Sequence, residues 1–440
     1  MPRKELKNVY TPNLEIGDVI KIHPSIDFKD GKGYFGVWFP SKEDKEDKLF
    51  LMTSNREILS TQMGVLEQKD LKIYHEGIKF LETQWSSRSI KDFTEQKINS
   101  RCISLKPKEV FDEIKYTFEY FMELPENVAE FLSLWVIGTY LFPLFNAYPY
   151  VFVWGIKRTG KSKLLTATSL MSFNSVFSAN TSSSSIFRLI QQGRCSLFMD
   201  ESEKLINKDR SEDIRSILLS GYKKGAKVQR TEKNPKGNFE VFSFEVYSPK
   251  MIANIHGLED IMEDRCIKIT MKRTLDKEIC NRDPNENNPK WQEIRDSLYV
   301  FALQNFELIE ENYENLPNKT ILNSRNWELW KPIFAIALFI DKKLYEKMIV
   351  FAEENVKEKD VENITESLEC VLVQVLIEIV EENPNYYKVK EITEKMKAKF
   401  DDEQRWLNTI YVGRALGRLG FKEKRRVGTG VEYKLNTELG

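Results

Sequence analysis

Cysteine and histidine are scarce in this 440-residue chain: Cys102, Cys195, Cys266, Cys280 and Cys370 show no CxxC spacing, and His23, His75 and His256 complete the set. Neither a disulfide framework nor a zinc site is legible there, and a reducing cytoplasm is the expected setting. Net charge is nearly absent as well. Lys and Arg number 66 against 67 Asp and Glu, which excludes a uniformly basic coat and confines any DNA-binding surface to a local patch. No apolar stretch follows the opening Met-Pro-Arg-Lys-Glu, so no secretory leader is expected. One run lacks charge, from Phe131 to Ile156, and is long enough for a crude membrane-span criterion. Pro143, Asn146 and Pro149 interrupt it, so a buried helix and strand are expected, with no membrane contact.

What is present is the balance of a globular protein: 41% apolar, 30% charged and 12% aromatic residues, with a length that gives roughly three domains. Residues from about 15 to 60 alternate apolar runs with turn signals such as Asp30-Gly31-Lys32-Gly33, which predicts β-hairpins in a β-rich region, 1–105. From Pro107 the apolar spacing becomes helical, at Val110, Phe111, Ile114, Phe118 and Phe121. Tyr150 to Trp154 reads as a strand buried on both faces. Strand-like runs recur at Ser196–Met199, Phe239–Val246 and Met251–Ile255, an α/β pattern that places a domain at 106–280. Asn281 to Lys290, rich in Asn and Pro, reads as a loop. Helical blocks Trp291–Glu310 and Asn326–Val356 follow, in a helical lid over 281–365, and no internal repeat is seen.

Gly155-Ile156-Lys157-Arg158-Thr159-Gly160-Lys161-Ser162 matches GxxxxGK[ST] between the apolar strand and a helical pattern, which is the context a phosphate-binding loop needs. Backbone N–H groups freed by Gly155 and Gly160, with Arg158 and Thr159 between them, would close on ATP phosphates. The helix N-terminus adds partial positive charge, Lys161 reaches the β and γ phosphates, and Ser162 would ligate Mg²⁺. The apolar run Cys195–Met199 ends in Asp200-Glu201. In P-loop ATPases a carboxylate so placed holds the Mg²⁺ shell, and the next one polarises the attacking water. Asn254, at the end of another strand, carries an amide suited to orient that water, or is a turn residue.

On these residues the chain resembles the AAA+ class of P-loop ATPases. Lys161 and Ser162 match Walker A, Asp200 and Glu201 match Walker B, and Asn254 matches sensor 1. More narrowly it resembles replicative helicase-like ATPases of plasmids, phages and integrated elements, distant relatives of minichromosome-maintenance-type helicases. The stretches concerned are Gly221–Lys227, Glu263–Ile267 and Arg325–Pro332. The resemblance implies an arginine finger at Arg265, reaching the neighbouring subunit's nucleotide, and a sensor 2 arginine at Arg325. A surface ion pair is the alternative for each.

Two basic segments point to DNA. Lys223, Lys224, Lys227, Arg230, Lys233 and Lys236 surround a turn signal at Asn234–Asn238, which predicts a hairpin. Helicases of the resembled group project such a hairpin into a central channel, so Lys233 and Lys236 are the candidate phosphate contacts, with a solvated basic turn as the alternative. From 366 to 440, three helical patterns and a hairpin around Gly428-Thr429-Gly430 read as a winged helix. Tyr411, Arg414 and Arg418 share one face of its third helix, and Arg425 and Arg426 load the wing. Such a surface suits duplex or fork DNA, or else docks a protein. The expectation is an α/β P-loop AAA+ ATPase core, with a β-rich N-terminal domain, helical lid and winged helix. It would act as a homo-oligomeric ring, a DNA helicase moving single-stranded DNA through its channel with Mg-ATP. A non-motor ATP-dependent switch or replication initiator is the rival, and a small-molecule kinase explains neither basic segment.

Overall fold

The computed structural model describes residues 19–40, 47–62, 64–79, 84–177, 183–200, 211–233, 237–255, 257–366, 368–382, 385–399, 407–419, 421, 423–428 and 430–435. They fall in two compact units, Met1–Glu353 and Glu354–Gly440.

The first unit opens with β1 (Ile20–Ile22), β2 (Ile26–Lys29), β3 (Lys32–Pro40), β4 (Asp47–Thr53), β5 (Ile58–Ser60) and β6 (Leu71–Ile73). Strands β2 to β5 form an antiparallel sheet, while β1 pairs in parallel with β6. The expected hairpin at Asp30-Gly31 has both residues at positive φ, 53° and 64°, the turn whose twist matches that of its strands. Four helices follow: α1 (Ser87–Thr94), α2 (Arg101–Ser104), α3 (Pro107–Phe121) and α4 (Val128–Thr139). Pro107 opens α3 where a missing N–H costs nothing. Every residue of α4 is buried, so the uncharged run from Phe131 is resolved as an interior helix followed by a strand. Among the described residues no helix is long and apolar enough to cross a membrane.

Next come β7 (Tyr150–Trp154), α5 (Lys161–Met171), β8 (Ser175–Phe177), α6 (Ser183–Gly193), β9 (Ser196–Met199), α7 (Ser211–Ser220), β10 (Lys227–Lys233), β11 (Phe239–Glu245), β12 (Lys250–Asn254), α8 (Asp260–Glu263) and β13 (Cys266–Thr270). Five of these strands make a wholly parallel sheet in the order β13-β7-β12-β9-β8, and β10 with β11 forms a separate antiparallel hairpin. Helix α4 backs the sheet, with Trp135 edge-on to Phe198. A Cβ on Gly138 would collide with the Tyr148 hydroxyl, which donates to the Trp135 carbonyl at 2.6 Å.

The unit closes with α9 (Lys277–Asn281), α10 (Lys290–Asn315), α11 (Ser324–Ile340) and the first half of α12 (Lys342–Glu366), the helix in which the boundary between the units falls. The expected continuous block from Asn326 to Val356 is two helices. Asp341 between them is extended, and its carboxylate accepts from the N–H groups of Lys343 and Leu344, starting α12 afresh. Helix α10 packs on α5, where Arg295 Nη1 donates to the Leu170 carbonyl at 2.8 Å, and on the β-rich region. Phe28 packs on Phe306 at 5.2 Å, while Phe35 and Trp85 lie 5.0 and 5.1 Å from Tyr299, so the β-rich region builds its core jointly with a helix more than two hundred residues downstream.

The second unit contains α13 (Leu368–Glu382), β14 (Tyr386–Lys388), α14 (Val389–Lys397), α15 (Thr409–Arg418), β15 (Lys424–Val427) and β16 (Gly430–Lys434). Its sheet is antiparallel in the order β14-β16-β15, over a core of Leu372, Val375, Ile392, Val412, Leu416 and Tyr433. The sequence pattern anticipates the three helices and the last hairpin. It misses β14, which is too short for alternation to register and exists because β16 pairs with it.

Candidate functional site

In a parallel sheet the C-terminal ends of all strands lie on one edge, where ligands bind in open α/β folds. Here Trp154 at the end of β7 is in register with Asn254 of β12, and Ile252 with Met199 of β9. Gly155, Asn254 and Asp200 therefore emerge side by side.

The loop is shaped by two glycines. A Cβ on Gly155 would lie 2.8 Å from both the Met271 carbonyl oxygen and Thr159 Oγ1, so no other residue fits without displacing backbone. Gly160 stands at φ 86° as the N-cap of α5, and Arg158 is also left-handed at φ 66°, a curl that turns successive N–H groups inward. Gly160 brings no side-chain acceptor to those groups, which leaves the helix end suited to an anion. Thr159 is buried, and its hydroxyl donates to the Ile156 carbonyl at 3.0 Å. Lys161 Nζ donates to the carbonyls of Gly155 at 2.6 Å and Ile156 at 3.0 Å, so its ammonium lies over the loop it would serve. Ser162 follows on the exposed first turn.

A cavity of about 160 Å³ adjoins the loop, walled by Phe121, Met122, Met271, Ile279 and Cys280 together with Arg158, Thr159 and Gly160. Sequence reasoning missed these walls. They come from the end of α3, the segment after β13 and α9, and carry no shared motif. Lys163 fastens α9 in place by donating to the Ile279 carbonyl at 2.7 Å, and burial lowers its pKa.

Asn254 is buried at the end of β12, where its Nδ2 donates to the Gly257 carbonyl at 3.1 Å. At the start of β12, Lys250 is fully buried. Its ammonium donates to the carbonyls of Gly221, Val246 and Ser248 and to the Ser248 hydroxyl, at 3.0 to 3.2 Å. Burial pushes its pKa down to about 7, while Cys195 opposes the shift. The side chain thus pins the strand carrying Asn254 to the base of the β10–β11 hairpin. No motif announced it.

The expected arginines lie elsewhere. Arg265 precedes β13, whose first residue, Cys266, is in register with Tyr150, the first of β7. It therefore occupies the opposite edge of the sheet from Gly155, roughly 20 Å away along the strand direction. Its Nε donates to the Leu219 carbonyl at 2.8 Å, its Nη1 to the Ile261 carbonyl, and its guanidinium covers the Tyr222 ring at 5.3 Å. Arg325 lies against the same ring at 5.8 Å and pairs with Asp264 at 3.4 Å. The structure brings Arg325 to Arg265, not to Lys161. Glu201 lies outside the described residues, as does Lys236.

Of the basic run, Lys223 pairs with Glu328 at 3.1 Å and Lys224 donates to the Pro143 carbonyl at 2.7 Å, so both are committed to the fold. Lys233 is exposed at the far end of β10 and lies 5.4 Å over the Phe239 ring. In the second unit an open groove of about 1060 Å³ between α14, α15 and the hairpin is lined by six basic residues, among them Lys388, Lys390, Arg414 and Arg426, against the two acidic residues Glu391 and Glu394. Asn408 caps α15, accepting from the N–H groups of Ile410 and Tyr411. Tyr411 packs against the core and Arg414 is exposed, so the two are not equivalent members of one stripe. Arg418 ends the same helix. Arg425 pairs with Glu432 at 2.9 Å and stacks on Tyr386 at 4.0 Å, which makes it part of the sheet's own scaffold.

No family model matches the chain, and no curated protein matches it. Among solved structures it is similar to the SCCmec type IV Cch active helicase, at 12% identity and a TM-score of 0.41, with 97% of this chain and 98% of that one covered. It is similar also to the apo C-terminal region of NrS-1, at 12% identity and a TM-score of 0.35, covering 91% and 96%. The ADP form of ORC2 from Aeropyrum pernix follows at 13% identity and a TM-score of 0.24, covering 72% and 92%. Identities and TM-scores of this size assign neither a family nor an activity.

Proposed function

We propose that this chain is an ATP-hydrolysing DNA motor, a ring-forming replicative helicase of a mobile genetic element, with ATP bound between subunits. The observation that carries the reading is the separation of its parts. A glycine-shaped phosphate loop lies beside Asp200 and Asn254 on one edge of the parallel sheet, and Arg265 and Arg325 gather around Tyr222 on the other. Arginines held there serve no nucleotide on their own chain, and they suit one on the next subunit of a ring.

In this reading the α5 N-terminus and the loop N–H groups bind the triphosphate. Lys161 leaves the carbonyls of Gly155 and Ile156 for the β and γ phosphates. The cavity beside the loop takes the base. Ser162 and Asp200, at adjoining ends of α5 and β9, suit a hard divalent cation by their oxygen donors. Held there, Mg²⁺ would neutralise phosphate charge. Glu201 accepts the proton of the attacking water, Asn254 orients that water, and Arg265 and Arg325 of the neighbouring copy offset charge developing on the transferred phosphoryl group. In the second unit, helix–strand–helix–helix–hairpin order and a basic groove support a winged helix that holds duplex or fork DNA.

The test is the ATPase rate with and without single-stranded DNA, paired with the mass of the assembly in ATP. A DNA-stimulated rate in a multimer, lost in Lys161→Ala, is expected. An unaltered rate in that variant removes the assignment, and stimulation without separation of a forked duplex turns it toward a non-motor switch.

A further inference from the structure

The β10–β11 hairpin packs by one side near its base and leaves the other side bare. Antiparallel register puts Lys227, Gln229, Thr231 and Lys233 on the same side as Glu245, Ser243, Val241 and Phe239. On the reverse side Val228 and Phe244 are buried, with Phe244 4.3 Å from Phe187 of α6. The first side faces out: Phe239 is 71% exposed and Val241 66%. Lys233, directly opposite Phe239, holds its ammonium 5.4 Å from the ring centroid. The side's one acidic residue, Glu245, lies at the hairpin base, away from Phe239.

We propose that Phe239 is a stacking platform for a base of single-stranded DNA, with Lys233 on the adjoining phosphate and Val241 extending the apolar strip. The chemistry of the patch selects this occupant. An apolar protein surface would have to bury the Lys233 ammonium against nothing of opposite charge. A single strand offers a π-face for the ring and a phosphate for the lysine within one nucleotide, whereas a duplex hides its base faces. This deepens the motor reading and rests on it, since it converts a hairpin holding DNA by charge alone into one that also grips bases.

The experiment compares the full chain's affinity for an oligo-dT and for an abasic oligonucleotide of equal length and charge. The wild type is expected to prefer dT about tenfold. Phe239→Ala brings that ratio close to one while leaving abasic binding and the DNA-free ATPase rate as they were, and Phe239→Trp keeps the preference. Lys233→Ala weakens both oligonucleotides alike. A Phe239→Ala protein that still prefers dT overturns the stacking role and leaves the motor reading intact. A changed assembly mass in Phe239→Ala with the preference retained also overturns it, identifying the strip as a contact between copies. Failure of the wild type to bind either oligonucleotide removes both proposals.

Discussion

The two edges of the five-stranded parallel sheet are built by different means. At the C-terminal edge the shape is made by backbone: Gly155 leaves no room for a Cβ, Gly160 and Arg158 turn left-handed, and the helix end supplies polarity. At the opposite edge side chains do the work, two guanidiniums stacked about Tyr222 and anchored to carbonyls and to Asp264. A phosphate needs a rigid cradle of N–H groups that only a fixed loop offers. A charge sent to a neighbouring subunit needs reach, which a long side chain supplies. In the proposed ring each edge is half of a site, and one copy of this chain is then chemically incomplete.

The largest effect expected is from Arg265→Ala, which should lower ATP turnover by on the order of a thousandfold while nucleotide affinity measured by titration holds, because the residue is remote from its own loop. Mixing it with Lys161→Ala should restore activity in the sites that pair an intact loop with an intact arginine. Absence of rescue would break the two-edge picture. Next is Gly155→Ala. Its Cβ would press on the Met271 carbonyl, so nucleotide affinity should fall more than tenfold, roughly 1.4 kcal/mol or more, with DNA binding by the second unit retained in a gel-shift assay.

A stability profile addresses the joint between the hairpin and the Asn254 strand. Burial lowers the Lys250 pKa to about 7 from its ordinary 10.5, so between these values the unfolded chain binds more protons and stability rises with pH. Urea midpoints should climb from pH 7 to pH 9, equivalent to about 2 kcal/mol, and the climb should vanish in Lys250→Met. An effect of the same sign, in a lower pH window, concerns His23, whose pKa burial holds well below 6.5. Protonation of the unfolded chain should erode stability as pH falls below about 6.5, and His23→Asn should flatten that limb. The smallest effect is expected from Arg325→Ala. Its exposed pair with Asp264 contributes under about 1 kcal/mol, so the melting temperature should hardly move. Turnover should drop about tenfold and be rescued, as for Arg265, by Lys161→Ala subunits. Rescue failing for Arg325 alone would return it to its own chain's site.

Much of this was legible in advance, for identifiable reasons. Tyr150–Trp154 was readable because a strand buried on both faces must be apolar throughout. Asp30-Gly31 was readable because few residues tolerate two positive φ angles in succession. The wall residues Met122, Met271 and Ile279 were not, since a cavity lining needs only apolar atoms from any segment that arrives there. Lys250 was hidden for the converse reason. A buried lysine looks like a surface one until the four oxygens around it are assembled. Asp341 was missed because apolar periodicity runs on from α11 into α12 while a capping carboxylate restarts the backbone.

By itself the sequence determined the glycine-shaped loop between β7 and α5, the parallel α/β class and the helix and hairpin order of the second unit, because local spacing dictates conformation over a few residues. Tertiary structure alone decided that Arg325 joins Arg265 on the far edge, that Lys223, Lys224 and Arg425 are bound into the fold, and that α10 completes the N-terminal core. Those outcomes depend on which distant segments meet, and a guanidinium or an ammonium carries no mark in the chain of the partner that packing will bring to it.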